Sequence, residues 1–301
     1  PAIGALTTKA IEGYAAQEQL VGGVETLFKT SSDTVVGYAN DAYKTAGMSA
    51  NEYMETVTSF SASLLASMNN DTAAAAEKAN VAITDMSDNA NKMGTDISLI
   101  QNAYNGFAKQ NYTMLDNLKL GYGGTKEEMQ RLLDDASKLS GIKYDISSYS
   151  DVVDAIHVVQ TEMGITGTTA KEASTTIEGS VSSMSSAWDN WVAGMADSEA
   201  NFSQLTSNLV DSIVTVVGNI APRVIETVPR LVSGLGEIVE QLATYIPQVI
   251  QELLPPLMSG VQDLLNTLVG MLPEMISIIG QIIPTIIDTL LTILPQLLEA
   301  G

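Results

Sequence analysis

The chain has 301 residues, 35 acidic against 14 basic, a formal net charge of −21 and one histidine. So acidic a protein does not bind nucleic acid by phosphate neutralisation, which needs clustered Lys and Arg. Anionic lipid headgroups repel it too, so any membrane affinity must come from apolar burial. With no cysteine, disulfides, thiolate metal sites and thiol nucleophiles are excluded.

Aromatic residues are only 5% of the chain, and Ala, Ser, Thr, Leu and Ile dominate, which suits long helices better than a β-sandwich. The expected fold class is all-α: a helical globular region followed by Pro-punctuated hydrophobic helices. The length is enough for two ordinary domains. The start, Pro1-Ala2-Ile3-Gly4, has neither Met nor a basic stretch. It does not read as a secretory signal, and the chain is expected to be a piece of a longer product.

Residues 1–46 read as helical segments, with Val21, Val24, Leu27 and Phe28 at helical spacing. Breaks are expected at Gly22-Gly23 and at Thr30–Asp33. Ser49-Ala50-Asn51-Glu52 has the Ser-x-x-Glu capping-box pattern. Behind it Tyr53, Val57, Phe60, Leu64 and Met68 form a stripe that must face a core. Asn69–Thr72 reads as a loop and N-cap, and Thr72–Met86 as an Ala-rich helix able to pack closely. Asp85–Asn91 gathers oxygen ligands, but an EF-hand loop counted from Asp85 would need Gly where Ala90 stands and Glu where Asp96 stands. A solvated helix end or a capping role is expected there instead.

Ile97, Ile100, Tyr104 and Phe107 make another apolar stripe. The glycines at 121, 123 and 124 do not make a phosphate loop, because Gly-Gly-Thr-Lys lacks the Gly-Lys-Ser/Thr order and no strand precedes it. They are expected to end one helix, with Thr125 and Glu128 boxing the next, which buries Met129, Leu132 and Leu133. Gly141–Ser150 reads as a polar connection with a short extended piece at Ile142-Lys143-Tyr144. Ser150-Asp151 is expected to cap a helix burying Val152, Val153, Ile156 and Val159. His157 lies among those positions without a second His for zinc and without an adjacent nucleophile for triad chemistry, so a structural or surface role is expected. Thr169–Glu172 reads as a third capping box, opening a helix through Ile177. Further on, Trp188, Trp191, Val192 and Met195 form a stripe whose acidic polar face favours protein packing over an interfacial membrane helix.

Five spaced blocks resemble one family. They are "GMSANEYMETVTSFSASLL" (47–65), "AITDMSDNANKMGTDISLIQNAYNGFAKQN" (82–111), "AKQNYTMLDNLKLGYGGTKEEMQRLL" (108–133), the run 141–180 and "AWDNWVAGMAD" (187–197). In this order, from about Asp41 to Asp197, they are similar to the helical region of tail tape measure proteins of long-tailed phages and prophages of Gram-positive bacteria. That family has no catalytic motif in this region, so the resemblance implies no active-site residue, no metal and no cofactor.

The last third has its own character. Beyond Arg230 there is no Lys, Arg or His, while seven carboxylates remain, among them Glu274 and Asp288. Eight of the nine prolines lie at 222, 229, 247, 255, 256, 273, 284 and 295. Pro273, Pro284 and Pro295 are eleven apart, and the steps 229–247 and 255–273 are eighteen. Eleven residues make three turns and eighteen make five, so all but Pro256 share one helix face. An eleven-residue period favours a right-handed supercoil with neighbouring helices. Each proline can start a short helix at no hydrogen-bond cost, or helices can run on through them, kinked, at about 3 kcal/mol each. Only the second arrangement spans a membrane, because a ten-residue piece covers about 15 Å of a core about 30 Å thick. Candidate spans are Leu264–Ile287, interrupted by Glu274, and Met275–Leu298, interrupted by Asp288; one such carboxylate costs about 3 kcal/mol.

The expected layout is 1–180 as the tape-measure-like helical region, 181–204 as an amphipathic bridge and 205–301 as the hydrophobic tract. Residues expected to act in packing or at a membrane are Trp188, Trp191, Pro273, Glu274, Pro284, Asp288 and Pro295. The resemblance implies a structural, non-enzymatic virion protein that sets tail length, lies as several parallel copies in the lumen of the tail tube and meets the tube protein and tail assembly chaperones. It also implies exit ahead of the DNA and contact with the host cell membrane, without sequence-specific nucleic-acid binding. A fully helical chain of 301 residues reaches at most about 450 Å, and family members are commonly longer. The alternative reading is a pore-forming or lipid-binding helical protein.

Overall fold

The computed structural model describes the backbone of residues 2–300 and the side chains of 4–238, 240, 260–274, 276–277 and 280. It is all-α, 82% helical, with no strand among the described residues, so Ile142-Lys143-Tyr144 lies in an irregular loop. The chain divides into two compact units, Pro1–Val224 and Ile225–Gly301. The stretch 181–204 belongs to the first of them, as do the opening turns of the hydrophobic tract.

In the first unit, α1 (Ala2–Phe28) runs through Gly22-Gly23 without a break. Helical glycine costs about 1 kcal/mol, and packing of α1 against α3 (Ala50–Ser67) and α9 (Ile177–Gly194) offsets it. The break comes at the 3-10 turn Lys29–Ser31, before α2 (Ser32–Thr45). Ser49 forms the expected box. Its hydroxyl accepts from Glu52 N at 3.3 Å, and the Glu52 carboxylate accepts from Ser49 N at 2.8 Å. The α3 stripe of Tyr53, Val57, Phe60 and Leu64 is buried as the spacing requires.

Helix α4 (Thr72–Met93) starts under Asp71, which accepts from Ala74 N at 3.1 Å. It packs against α1, α2, α3, α5 (Ile97–Phe107), α7 (Tyr149–Glu162) and α8 (Thr168–Thr175). Ala75, Ala76, Ala79 and Ala82 are all buried, and small side chains let so many helices approach one axis. Beyond α5 the chain does not stay helical up to the glycines. Residues 108–125 form a loop with a short 3-10 turn, Leu115–Leu118, and the loop folds Tyr112, Leu115, Leu118 and Leu120 into the core. Gly124 closes it against backbone: a Cβ there would lie 2.3 Å from the Thr113 carbonyl oxygen.

Helix α6 (Lys126–Ser140) buries Met129, Leu132 and Leu133 as expected. Thr125 accepts from Glu128 N at 3.2 Å, but the Glu128 carboxylate does not return to Thr125. It accepts from Gly123 N at 3.0 Å and pairs with Arg131 at 2.6 Å, and the Arg131 hydrogen bond does most to lower it to about 2. The cap of α7 is Ser148, two residues before the expected Ser150, accepting from Asp151 N at 3.3 Å.

Helix α8 differs most from expectation. Its N-cap is Gly167, in the left-handed region at φ 84°, and Thr169–Glu172 forms no box. The cap arrives from α4: the Asp88 carboxylate accepts from Gly167 N at 2.6 Å and from Thr169 N at 2.7 Å. The helix stops at Thr175, and Thr176 caps α9 by accepting from Gly179 N at 3.0 Å. The second unit continues α10 (Phe202–Ala300), which is one helix through all eight prolines of the tract instead of separate proline-started pieces.

Asp88 is buried and satisfies two amides at the start of α8, that of Gly167 and that of the buried Thr169. Asp88→Ala leaves both without an acceptor and is expected to destabilise the first unit by about 2–4 kcal/mol, read as a lower denaturant midpoint. Asp88→Asn, which keeps one acceptor oxygen, should cost about half as much. Equal stability of Asp88→Ala and wild type would contradict the cap.

Candidate functional site

The largest chemical anomaly is the surface of α10. Every residue from 260 to 274 is exposed, although a soluble helix normally turns its apolar stripe toward a core. Ile225, Val232, Leu264 and Ile276 stand 71%, 67%, 63% and 67% exposed. Among the described residues one stretch, Phe202–Ile238, is long and apolar enough to cross a membrane, with a mean hydropathy of 1.2. The span expected at 264–287 is described at 264–274, 276, 277 and 280, all of them exposed, and the span at 275–298 lies largely outside the described side chains. Pro273 and Glu274 are described and exposed; the side chains of Pro284, Asp288 and Pro295 lie outside the described set.

Running one helix through eight prolines removes eight helical hydrogen bonds, a cost of about 24 kcal/mol in all. Fully burying an exposed Val, Leu or Ile returns about 1.5–3 kcal/mol. On the order of ten such side chains must therefore be covered for the continuous helix to hold. Among the described residues, about twice that number stand exposed along α10. The helix is thus intelligible when other apolar matter covers it.

The two tryptophans separate in role. Trp191 packs onto the cluster of Tyr43, Ala187 and Leu209, and its indole Nε1 donates to Thr206 Oγ1 at 3.1 Å. Its ring lies 5.4 Å from that of Phe202, so it ties α9 to the first turn of α10. Trp188 stacks on Trp191 at 5.3 Å but keeps 43% of its surface open.

The oxygen-rich stretch of α4 is buried from Asp85 to Ala90, with Asn91 at its exposed end. Asp85 is 0% exposed, and both its carboxylate oxygens lie 2.9 Å from His157 Nδ1 on α7. Gln160 Nε2 donates to the Asp85 carbonyl at 3.2 Å, and Asn89 Nδ2 donates to Gln160 Oε1 at 2.7 Å. Asn91 Nδ2 donates to Thr169 Oγ1 at 2.8 Å. Local spacing missed this seam because its partners lie about seventy residues or more away; a lone His at an apolar helix position was the one signal for it. Among the described residues no group of three or more His, Asp or Glu could hold a metal ion.

No family model matches the chain, and neither a curated protein nor a solved structure matches it.

Burial pushes Asp85 up to about 6 against the pull of His157, and the Asp85 hydrogen bond raises His157 in turn. The two titrate as a pair, with Asp88 and Asp154 adding negative field and Asp154 itself ion-paired to Lys78. Both groups hold protons more tightly when folded than their reference values of about 3.9 and 6.5. Each therefore contributes stability at low pH that is lost as pH rises. The loss runs from about pH 4 to 6 for Asp85 and from about pH 6.5 upward for His157. Thermal midpoints should fall between pH 5 and 8, and the slope should be flatter in Asp85→Asn. The same slope in both proteins would contradict the coupling.

Proposed function

We propose that this chain is part of a phage tail tape measure protein, a structural and non-enzymatic component of the tail. The observation that carries the reading is the continuous helix α10, free of basic residues beyond Arg230, with exposed apolar side chains over many of its described turns. The five blocks in order between Asp41 and Asp197 support it. In this reading several parallel copies cover one another's α10 inside the tail tube lumen, next to the tube protein and after delivery by assembly chaperones. The eleven-residue spacing of Pro273, Pro284 and Pro295 suits such packing. On ejection the same surface meets the host membrane, where the carboxylates Glu274 and Asp288 make insertion conditional. The acidic charge keeps passing DNA from adhering.

The stretch Phe202–Ile238 favours a second reading, a pore-forming or lipid-binding helical protein. A ruler and a pore respond differently to length. Deleting 273–294 in frame removes two eleven-residue repeats, about 33 Å of helix. Tails measured by electron microscopy should shorten by about that amount. Unchanged tail length would contradict the ruler and leave the lipid-binding reading.

A further inference from the structure

A cleft of about 740 Å³ opens in the first unit between α1, α2, the start of α3, α9 and the first turns of α10. Its one aromatic lining residue is Trp188, whose open indole rests on Trp191 at 5.3 Å and is held in place by it. Seven Asn and Gln side chains also line the cleft. Asn51 donates from Nδ2 to Gly13 O at 3.0 Å, yet its Oδ1 is buried without a partner. Asn190 accepts from Ala50 N at 2.7 Å through Oδ1, which leaves its two amide protons uncommitted. The Asn51 oxygen is closed off from solvent and shapes the wall, so the polar groups left to meet a ligand hydroxyl are those of Asn190 and Asn40.

We propose that this cleft binds a neutral saccharide, one pyranose ring stacked on Trp188 and its hydroxyls bonded to Asn190 and Asn40. A sugar ring has an electropositive C–H face that meets the negative face of an indole, and an equatorial rim of donors and acceptors that fits amide groups. The volume is that of an ordinary small-ligand site. Charge narrows the class further. Glu12, Asp189, Asp197 and Glu199 face the cleft against Lys9 alone, so uronic and sialic acids are repelled. A quaternary ammonium ion would instead call for several aromatic walls around it, and this cleft has one.

Titration calorimetry and tryptophan emission on the full chain test the assignment, with cellotetraose, chitotetraose and maltotetraose as probes. At least one should bind saturably and shift the emission to the blue. Trp188→Ala should weaken that binding by about tenfold or more, and Trp188→Phe, which keeps a ring, by less. Far-UV circular dichroism should be unchanged in both, because Trp188 is half open. Asn40→Ala, probed the same way, should also weaken binding. No saturable binding by any of the three sugars, undiminished binding by Trp188→Ala, or choline saturating the site in their place would overturn the proposal.

Discussion

Helix α10 presents Val, Leu and Ile side chains to water over many turns, with no basic residue beyond Arg230. Monomeric proteins rarely expose contiguous apolar surface beyond a few hundred Å². Eight prolines deepen the demand, since each removes a hydrogen bond that only packing can offset. Two surroundings satisfy such a helix: other copies of itself, or the hydrocarbon of a bilayer. The spaced carboxylates weigh against permanent residence in lipid, because each is expensive at the bilayer centre. The missing Lys and Arg also leave nothing to orient a span. A helix that is first covered by its copies and later meets a membrane satisfies both conditions.

The first unit solves the opposite problem. Its core is well covered, and α1, α2, α3, α5, α7 and α8 all pack against α4. One half of α4 is rich in alanine and admits close neighbours; the other half carries Asp85, Asp88, Asn89 and Asn91. Those polar groups replace water with partners on α7 and at the start of α8. Buried polar groups that are paired can specify one arrangement among many, at the risk of a large cost if a partner is lost. The opening of α10 is fastened to this unit by Trp191 and by Asn219, whose Nδ2 donates to the carbonyls of Thr176 at 3.1 Å and Ser174 at 3.3 Å. The apolar helix therefore begins on a defined footing.

Local chemistry was the legible part of the fold. The Ser49–Glu52 box, the stripe Tyr53–Val57–Phe60–Leu64 and the buried face of α6 follow from spacing alone, because each is decided within two or three turns. What spacing could not show depends on residues far apart in the chain. Asp88 caps a helix about eighty residues later, and so Thr169 and Glu172 look like a box without forming one. Gly22-Gly23 looks like a break, but α1 is held on both sides by its neighbours. Of the residues singled out for function, Trp191 was legible as packing. The open face of Trp188 above an amide-lined cleft was not, since the cleft is assembled from five separate segments.

Sedimentation velocity of the full chain without detergent, followed by flotation with neutral liposomes, tests the cover on α10 most directly. The account predicts a species well above the 31.9 kDa of one chain, or recruitment to the vesicles when they are supplied. A stable, monodisperse monomer that neither self-associates nor floats would contradict it.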